Sequence, residues 1–252
     1  MESIYKITLF IDKWLKIAEI EDASNNGLQV EGNKQVNKIG FAVDACMDVF
    51  EKAKEQNCDL VIVHHGLSWK DSLRYITDSN AERIKFLMKN DISLYGVHLP
   101  LDKHNELGNN IQLCKLFNVS NVKEFGEYHG DFIGFKGEFE SEKILGDFVK
   151  EVEEKLDTKC KVLDFGRSNL KTIAIVSGGA PDLIPEAAKK GVDVFLTGEG
   201  KLSAYHFAKE GNLNVIFAGH YATETLGVIA LAKVIKEKFD VETVFIENKV
   251  DF

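Results

Sequence analysis

The chain reads as an α/β protein made of two similar halves, and three features of the sequence predict this. Short apolar runs such as Leu60-Val61-Ile62-Val63 alternate with stretches of helical period, the order that builds βαβ units. The second half repeats the element order of the first: Asp48, Ala53, Asp59 and Gly66 correspond without gaps to Asp182, Ala187, Asp193 and Gly200, each 134 positions later (182 against 48). Further on, Tyr95-Gly-Val-His98-x-x-x-Asp102 is matched by Phe217-Ala-Gly-His220-x-x-x-Glu224, with the shifted offset that a changed loop length produces. An internal duplication is therefore expected. It gives a first α/β domain over 1–127 and a second over 128–252, with the part from about residue 219 returning to pack on the first.

Each element follows from its local pattern. Residues 3–19 place Ile4, Ile7, Phe10, Ile11, Trp14, Leu15 and Ala18 on one helical face. A polar loop, Asp22-Ala-Ser-Asn-Asn-Gly27, precedes a short strand at 28–30. Residues 38–43 and 59–63 are near-continuous apolar runs, the mark of strands buried on both faces, with a helix between them at 48–57. A helix near 79–90, a strand at 93–97, a helix at 106–118 and a strand at 121–126 complete the first half. The second half offers strands at 132–138, 161–165, 172–176, 193–196, 214–218 and 241–246. Its helices are expected at 142–156, around 187–190, and at 201–210 and 224–239.

Composition narrows the class. With 252 residues, 44% hydrophobic and 28% charged, this is an ordinary globular chain long enough to bury a sizeable core. Its apolar runs fall far short of the roughly 20 residues that span a membrane. Charges interrupt the N-terminal apolar pattern, unlike a signal peptide, so a cytoplasmic location is expected. A formal charge of -9 disfavours nucleic acid as a partner, because that affinity rests on clustered Lys and Arg. Cys46, Cys58, Cys114 and Cys160 show no metal-finger spacing and read as buried free thiols of a reducing compartment.

The residues that carry chemistry lie at strand ends, where open α/β sheets bind ligands. His64-His65-Gly66 closes the apolar run at 59–63. Neighbouring strand residues point to opposite faces, so the two imidazoles serve one centre only if the chain bends, which Gly66 permits. His98-Leu-Pro-Leu-Asp102 follows the strand at 93–97, and Pro100 disfavours helix at Leu99, so His98 and Asp102 are expected on an inward-folding loop. His220-Tyr-Ala-Thr-Glu224 follows another strand at the start of a helix, where positions i and i+4 share a face. Four imidazoles and two carboxylates supply only two negative charges. Two divalent ions would leave an excess of about +2, which a hydroxide and an anionic substrate would reduce. One ion would rarely take six protein ligands and stay reactive. Mixed nitrogen and oxygen donors suit Zn, Mn, Fe, Co or Ni.

These motifs resemble a known family. SNNGLQVEG (24–32), VHHGLSWK (63–70), VHLPLD (97–102), ELGNN (106–110), TGEG (197–200) and AGHYATE (218–224) are similar to the motif series of the GTP cyclohydrolase 1 type 2 homologues, also called NGG-interacting-factor-three-like proteins. The resemblance spans nearly the whole chain in order. It implies a two-domain α/β protomer, a toroidal homohexamer and a dinuclear metal site held by His64, His65, His98, Asp102, His220 and Glu224. Many members carry Pro where Gly66 stands, a departure that touches the bend and no ligand. The family's name points to GTP ring opening. The expectation carried by the residues is broader: a dinuclear metal-dependent hydrolase acting on a nucleotide-like or other small anionic substrate, with Glu199 as a candidate general acid or base. A metal-stabilised hexameric scaffold or DNA-binding protein without catalysis is the other class.

The remaining features have plainer expectations. Ser177-Gly178-Gly179 lacks the Lys of a phosphate loop and reads as a tight turn. Asn25 and Asn26 are loop formers that the resemblance brings nearer to substrate. His104, His129 and His206 are expected in solvent, Trp14 in the core face of the first helix, and Trp69 as a wall of the pocket.

Overall fold

A computed structural model of the chain describes residues 1–250. In chain order it begins with β1 (Glu2–Ser3), α1 (Ile4–Leu15), β2 (Gly27–Val30), β3 (Gln35–Val36), β4 (Lys38–Asp44) and α2 (Met47–Glu55). There follow β5 (Leu60–His65), α3 (Asp78–Lys89), β6 (Ser93–Gly96), α4 (Leu99–Asp102) and α5 (Asn109–Leu116). A long pair, β7 (Val119–Tyr128) and β8 (Asp131–Ile144), precedes α6 (Leu145–Leu156), β9 (Lys161–Asp164) and β10 (Asn169–Ile175). A 3₁₀ turn (Pro181–Leu183) leads into α7 (Ile184–Lys189), β11 (Val194–Thr197), α8 (Leu202–Glu210), β12 (Asn214–Phe217), α9 (His220–Lys238) and β13 (Glu242–Phe245). The fold is mixed α/β. No helix among the described residues is long and apolar enough to cross a membrane.

Contacts separate two compact units. The first, Met1–Leu101 with Gly227–Asn248, holds a five-stranded sheet in the order β13-β4-β5-β6-β2. Its first four strands are parallel, and β2 closes the edge antiparallel to β6. β4 and β5 are buried almost throughout, as their unbroken apolar runs require. Helix α1 buries Ile4, Ile7, Ile11 and Leu15 at helical spacing and ends at Lys16, whose φ of 52° is a left-handed cap. Trp14 is only partly buried, against Phe10. Asp59 starts the sheet on register: one carboxylate oxygen accepts from the backbone N–H of Asn37 (2.7 Å) and of Lys38 (3.1 Å).

The second unit, Asp102–Leu226 with the residues from Lys249, holds a six-stranded sheet, β7-β8-β10-β11-β12-β9. Strands β10, β11 and β12 are parallel, and β9 closes one edge antiparallel to β12. Here Asp193 repeats the role of Asp59, accepting from the N–H of Lys171 and of Thr172, each at 2.9 Å. The β7–β8 turn puts His129 at φ 50° and Gly130 at φ 85°, the two positive values that a hairpin of this twist needs.

Three expectations change. The helix foreseen over 142–156 starts at Leu145, because β8 continues to Ile144 beside β10. The helix foreseen over 106–118 is the shorter α5, capped by Gly108. The contacts divide the chain after Leu101 and not near residue 127: β7 is laddered to β8, and Leu113, Cys114 and Phe117 share a core with Phe135, Phe139 and Phe148. All four cysteines are free thiols, with Cys58 and Cys114 buried and Cys46 and Cys160 partly so. Burial pushes the Cys58 thiol up to about 11 and that of Cys114 to about 12.

Candidate metal centre

In the first unit, parallel pairing of β4, β5 and β6 brings the ends of these strands side by side, and three histidines stand there. His64 and His65 end β5, and His98 is the second residue after β6. Ring centroids lie 4.7 Å apart for His64–His65, 5.0 Å for His64–His98 and 5.6 Å for His65–His98. One nitrogen of each ring falls within 4.8 Å of the others, a spacing one ion could bridge. The chain leaves β5 through Gly66, which is not left-handed. A Cβ there would sit 2.4 Å from the end of the Gln29 side chain, which would have to move to admit one. That amide accepts from the N–H of Leu67 (2.7 Å) and of Ser68 (3.2 Å), so Gln29 fixes the turn after the histidines.

Every ring is oriented through Nδ1. His64 Nδ1 faces the Val97 carbonyl at 3.0 Å, His65 Nδ1 faces Asp44 Oδ1 at 2.8 Å, and His98 Nδ1 faces Asp22 Oδ1 at 2.9 Å. A carbonyl or carboxylate oxygen can only accept, so Nδ1 carries the proton and Nε2 presents its lone pair. Asp22 does more than this. Its Oδ1 also accepts from Ser24 N–H, and its Oδ2 from the Asn26 amide (2.9 Å) and Leu99 N–H (3.0 Å). Burial raises its pKa, but its hydrogen bonds, that from His98 first and those from Asn26 and Ser24 after it, outweigh that, and the carboxyl falls to about 2. Asn26 Oδ1 in turn accepts from His98 N–H at 2.8 Å. Pro100 does not keep the next residues out of helix: α4 begins at Leu99, and Pro100 sits in its first turn, where a missing N–H costs nothing. Trp69 walls this group, its indole donating to Gly66 O (2.7 Å) and its ring 4.9 Å from that of His98.

In the second unit, carboxylates gather round His220. Helix α9 opens at His220, so Glu224 lies one turn on, with Oε1 3.2 Å from His220 Nε2. On the opposite side of the ring, Nδ1 faces Glu199 Oε1 at 3.3 Å. Burial opposes protonation of this imidazole, but Glu224 and then Glu199 outweigh it, and the pKa rises to about 9. The local field therefore favours a cation. Asp102, 6% exposed, accepts at Oδ1 from the Asn109 amide (2.8 Å) and from Ser177 Oγ (3.1 Å). Ser177 leads into Gly178, where a Cβ would lie 2.2 Å from Glu224 Oε1 and 2.9 Å from His220 Nε2. Its φ of 64° is left-handed as well, so glycine is required twice over.

The expected tight turn at Ser177-Gly178-Gly179 is thus a brace. Two of its amides are committed within the protein, Ser177 N–H to Asn110 Oδ1 and Gly178 N–H to Thr223 Oγ1. Asn25 also has an internal task, its amide donating to Ser68 Oγ and Lys70 O. His129 and His206 are exposed, whereas His104 is half-buried, its Nδ1 accepting from Glu106 and Leu107 N–H. Asp22, Asp44 and Gln29 are the residues the sequence did not flag. Only the place of Asp22 just before the SNN loop hinted at it.

Residues 3–251 match the family model described as Duf34/NIF3 (NGG1p interacting factor 3). A curated relative from Pyrococcus horikoshii, named GTP cyclohydrolase 1 type 2 homolog, is 49% identical over 244 residues, covering 96% of this chain and 97% of its own. Among solved structures, ybgI, described as of unknown function, is 36% identical with a TM-score of 0.94, each chain fully covered. TTHA1606 from Thermus thermophilus is 34% identical at a TM-score of 0.92, again over the whole of both chains. The likeness runs from end to end and includes the strand ends where the histidines and carboxylates stand, so the chain belongs to the Duf34/NIF3 family.

Proposed function

We propose that the protein is a dinuclear metal-dependent hydrolase of small anionic substrates, nucleotide-like ones among them. Its ligands would be His64, His65 and His98 from the first unit and Asp102, His220 and Glu224 from the second. The observation that carries this reading is the orientation of His64, His65 and His98 through Nδ1 by oxygen acceptors, which readies Nε2 as a donor before any ion arrives. The high proton affinity of His220 between two carboxylates supports it from the other unit. The donor set, imidazole and carboxylate without thiolate, fits Zn, Mn, Fe, Co or Ni. Divalent ions held there supply Lewis acidity and make hydroxide available at neutral pH. The chain's own residues do the rest. Asp22 and Asp44 hold imidazoles in the donor tautomer, Trp69 shields His98 from water, and Glu199, 40% exposed, is placed to carry a proton.

The curated relatives' name, GTP cyclohydrolase 1 type 2 homolog, is in keeping with a nucleotide-like substrate. The internal duplication belongs to the same proposal. It is supported by Asp59 and Asp193 accepting from equivalent pairs of backbone amides in front of equivalent strands. So does the homohexamer that the family resemblance implies, which light scattering tests directly. The deciding experiment is elemental analysis of protein purified without chelators, followed by stripping, reloading and a screen of nucleotides and phosphoesters. About two ions per chain, with turnover that follows metal occupancy, is expected. Trace metal only, or turnover indifferent to metal, overturns the reading.

A further inference from the structure

The second unit contains a cavity of about 1020 Å³, large enough for a drug-sized ligand. Its floor is bare backbone. Gly198, Gly200 and Gly219 line it, from the TGEG and AGH motifs. None of them tolerates a side chain easily: a Cβ on Gly198 would meet Gly178 O at 2.7 Å, one on Gly200 the Phe217 ring at 2.8 Å, and Gly219 is left-handed at φ 87°. Such a floor lets a ligand approach the main chain closely. Glu199 lies on the same floor, between two of these glycines and 3.3 Å from His220.

The side chains that line the cavity are of two kinds. Tyr205, Phe217 and Leu202 form the apolar one, and Leu202 is 86% exposed, an unusual position for leucine. The other carries Lys159, Lys161, Lys201 and Lys249 against only Asp157 and Glu199, in a protein whose net charge is -9. Lys201 is paired with Asp182, Lys249 with Asp157 and Lys159 with Glu153 at 3.6 Å. Lys161, at the start of the edge strand β9, has no carboxylate within 4 Å among the described residues. A concave surface lined by four lysines against two carboxylates, and by the rings of Tyr205 and Phe217, suits one ligand chemistry, a phosphate joined to a flat ring.

We infer that this cavity is the substrate site of the proposed hydrolase and takes a phosphorylated small molecule with a planar body. Its phosphate sits against Lys161 and its ring against Tyr205 and Leu202, so that the labile bond faces Glu199 and His220. The inference rests on the hydrolase reading for its chemistry, but binding can be tested without metal. Adenosine monophosphate, adenosine and inorganic pyrophosphate, titrated calorimetrically into the metal-stripped full chain, serve as probes. The monophosphate should bind more tightly than adenosine and weaken with salt. Lys161→Glu should reduce its affinity at least tenfold, and Leu202→Ala should weaken adenosine and the monophosphate alike, several-fold. Lys236→Glu, on α9 in the other unit, should change neither. Both tested side chains are exposed, so folding is not at stake, and far-ultraviolet circular dichroism verifies it. No binding of any probe at millimolar concentration, or a monophosphate affinity that Lys161→Glu leaves unchanged, overturns the inference. Binding lost with Lys161→Glu, in a protein that elemental analysis finds to hold only trace metal when purified without chelators, would uphold the cavity and sink the hydrolase.

Discussion

Asp22 is the residue on which the orientation of His98 turns. Its two oxygens receive four hydrogen bonds, and one of these fixes the His98 tautomer. Asp22→Asn removes the charge and puts an amide donor where an acceptor stood. Orienting partners of metal-bound histidines are typically worth 10–100-fold in affinity, and a loss of that size is expected in zinc titrations of the stripped protein. Nitrogen-15 shifts of His98 should show the tautomer becoming mixed in the same variant. Unchanged zinc affinity would refute the orienting role. Gly178 offers a second test. Alanine there must adopt a left-handed φ and also displace Glu224, so a loss of roughly 1–3 kcal/mol is expected in urea unfolding. Gly179→Ala, whose Cβ would meet only the end of the Glu199 side chain at 2.9 Å, should cost clearly less.

Among the elements, α6 is fastened to the sheet by both packing and charge. Phe148 is 1% exposed and stacks edge-on against Phe117 and Phe139, so Phe148→Ala should cost about 3–5 kcal/mol. Glu151 on the same helix takes Lys143 from β8 and Lys155 from its own next turn. Burial raises its pKa, but the hydrogen bonds from Lys143 and Lys155 outweigh this and the net shift is downward. A carboxyl depressed in the folded state stabilises above its unfolded value near 4.5, and the benefit fades as pH falls through the lower folded value. The acid limb of the stability curve should therefore be flatter in Glu151→Gln than in the parent, measured by urea unfolding from pH 6 to 3. The buried parallel strands were legible in the sequence because each contains a short apolar run, 39–43, 60–63, 173–175 and 194–196. The two-residue strands β1 and β3 were not, since two residues carry no period. Pro100 misled by being read as a breaker when it starts a turn of helix. The clustered histidines were visible from their strand-end positions. Asp22 was not, because its link to His98 spans 76 residues and no local pattern encodes it.

At the scale of the whole molecule, the chain crosses between units after Leu101, within α9 after Leu226, and again after Asn248. The first unit is thus discontinuous: β13 pairs with β4 at its sheet edge, and Phe239 packs edge-on against Phe10 of α1. A chain ending at Leu226 would strip that edge and uncover this core. Its first unit should fail to fold, while Ile173, Val194 and Leu196 of the second remain protected from amide exchange. Protection retained by β4 and β5 in the truncated chain would show that the returning segment is dispensable.

Asp59 and Asp193 make the same pair of backbone hydrogen bonds at two depths. Asp59 is half-buried, whereas Asp193 is 6% exposed and also holds Arg167 Nε at 2.7 Å and Thr172 Oγ1 at 2.9 Å. One polypeptide thereby contains matched versions of a single experiment. Replacing each aspartate by alanine, in separate variants, compares the cost of stranding two amides near water with that of stranding two amides and a hydroxyl away from it. Chain length, solvent and the chemical change are identical in the two, so the gap between them reads depth together with the extra partners of Asp193.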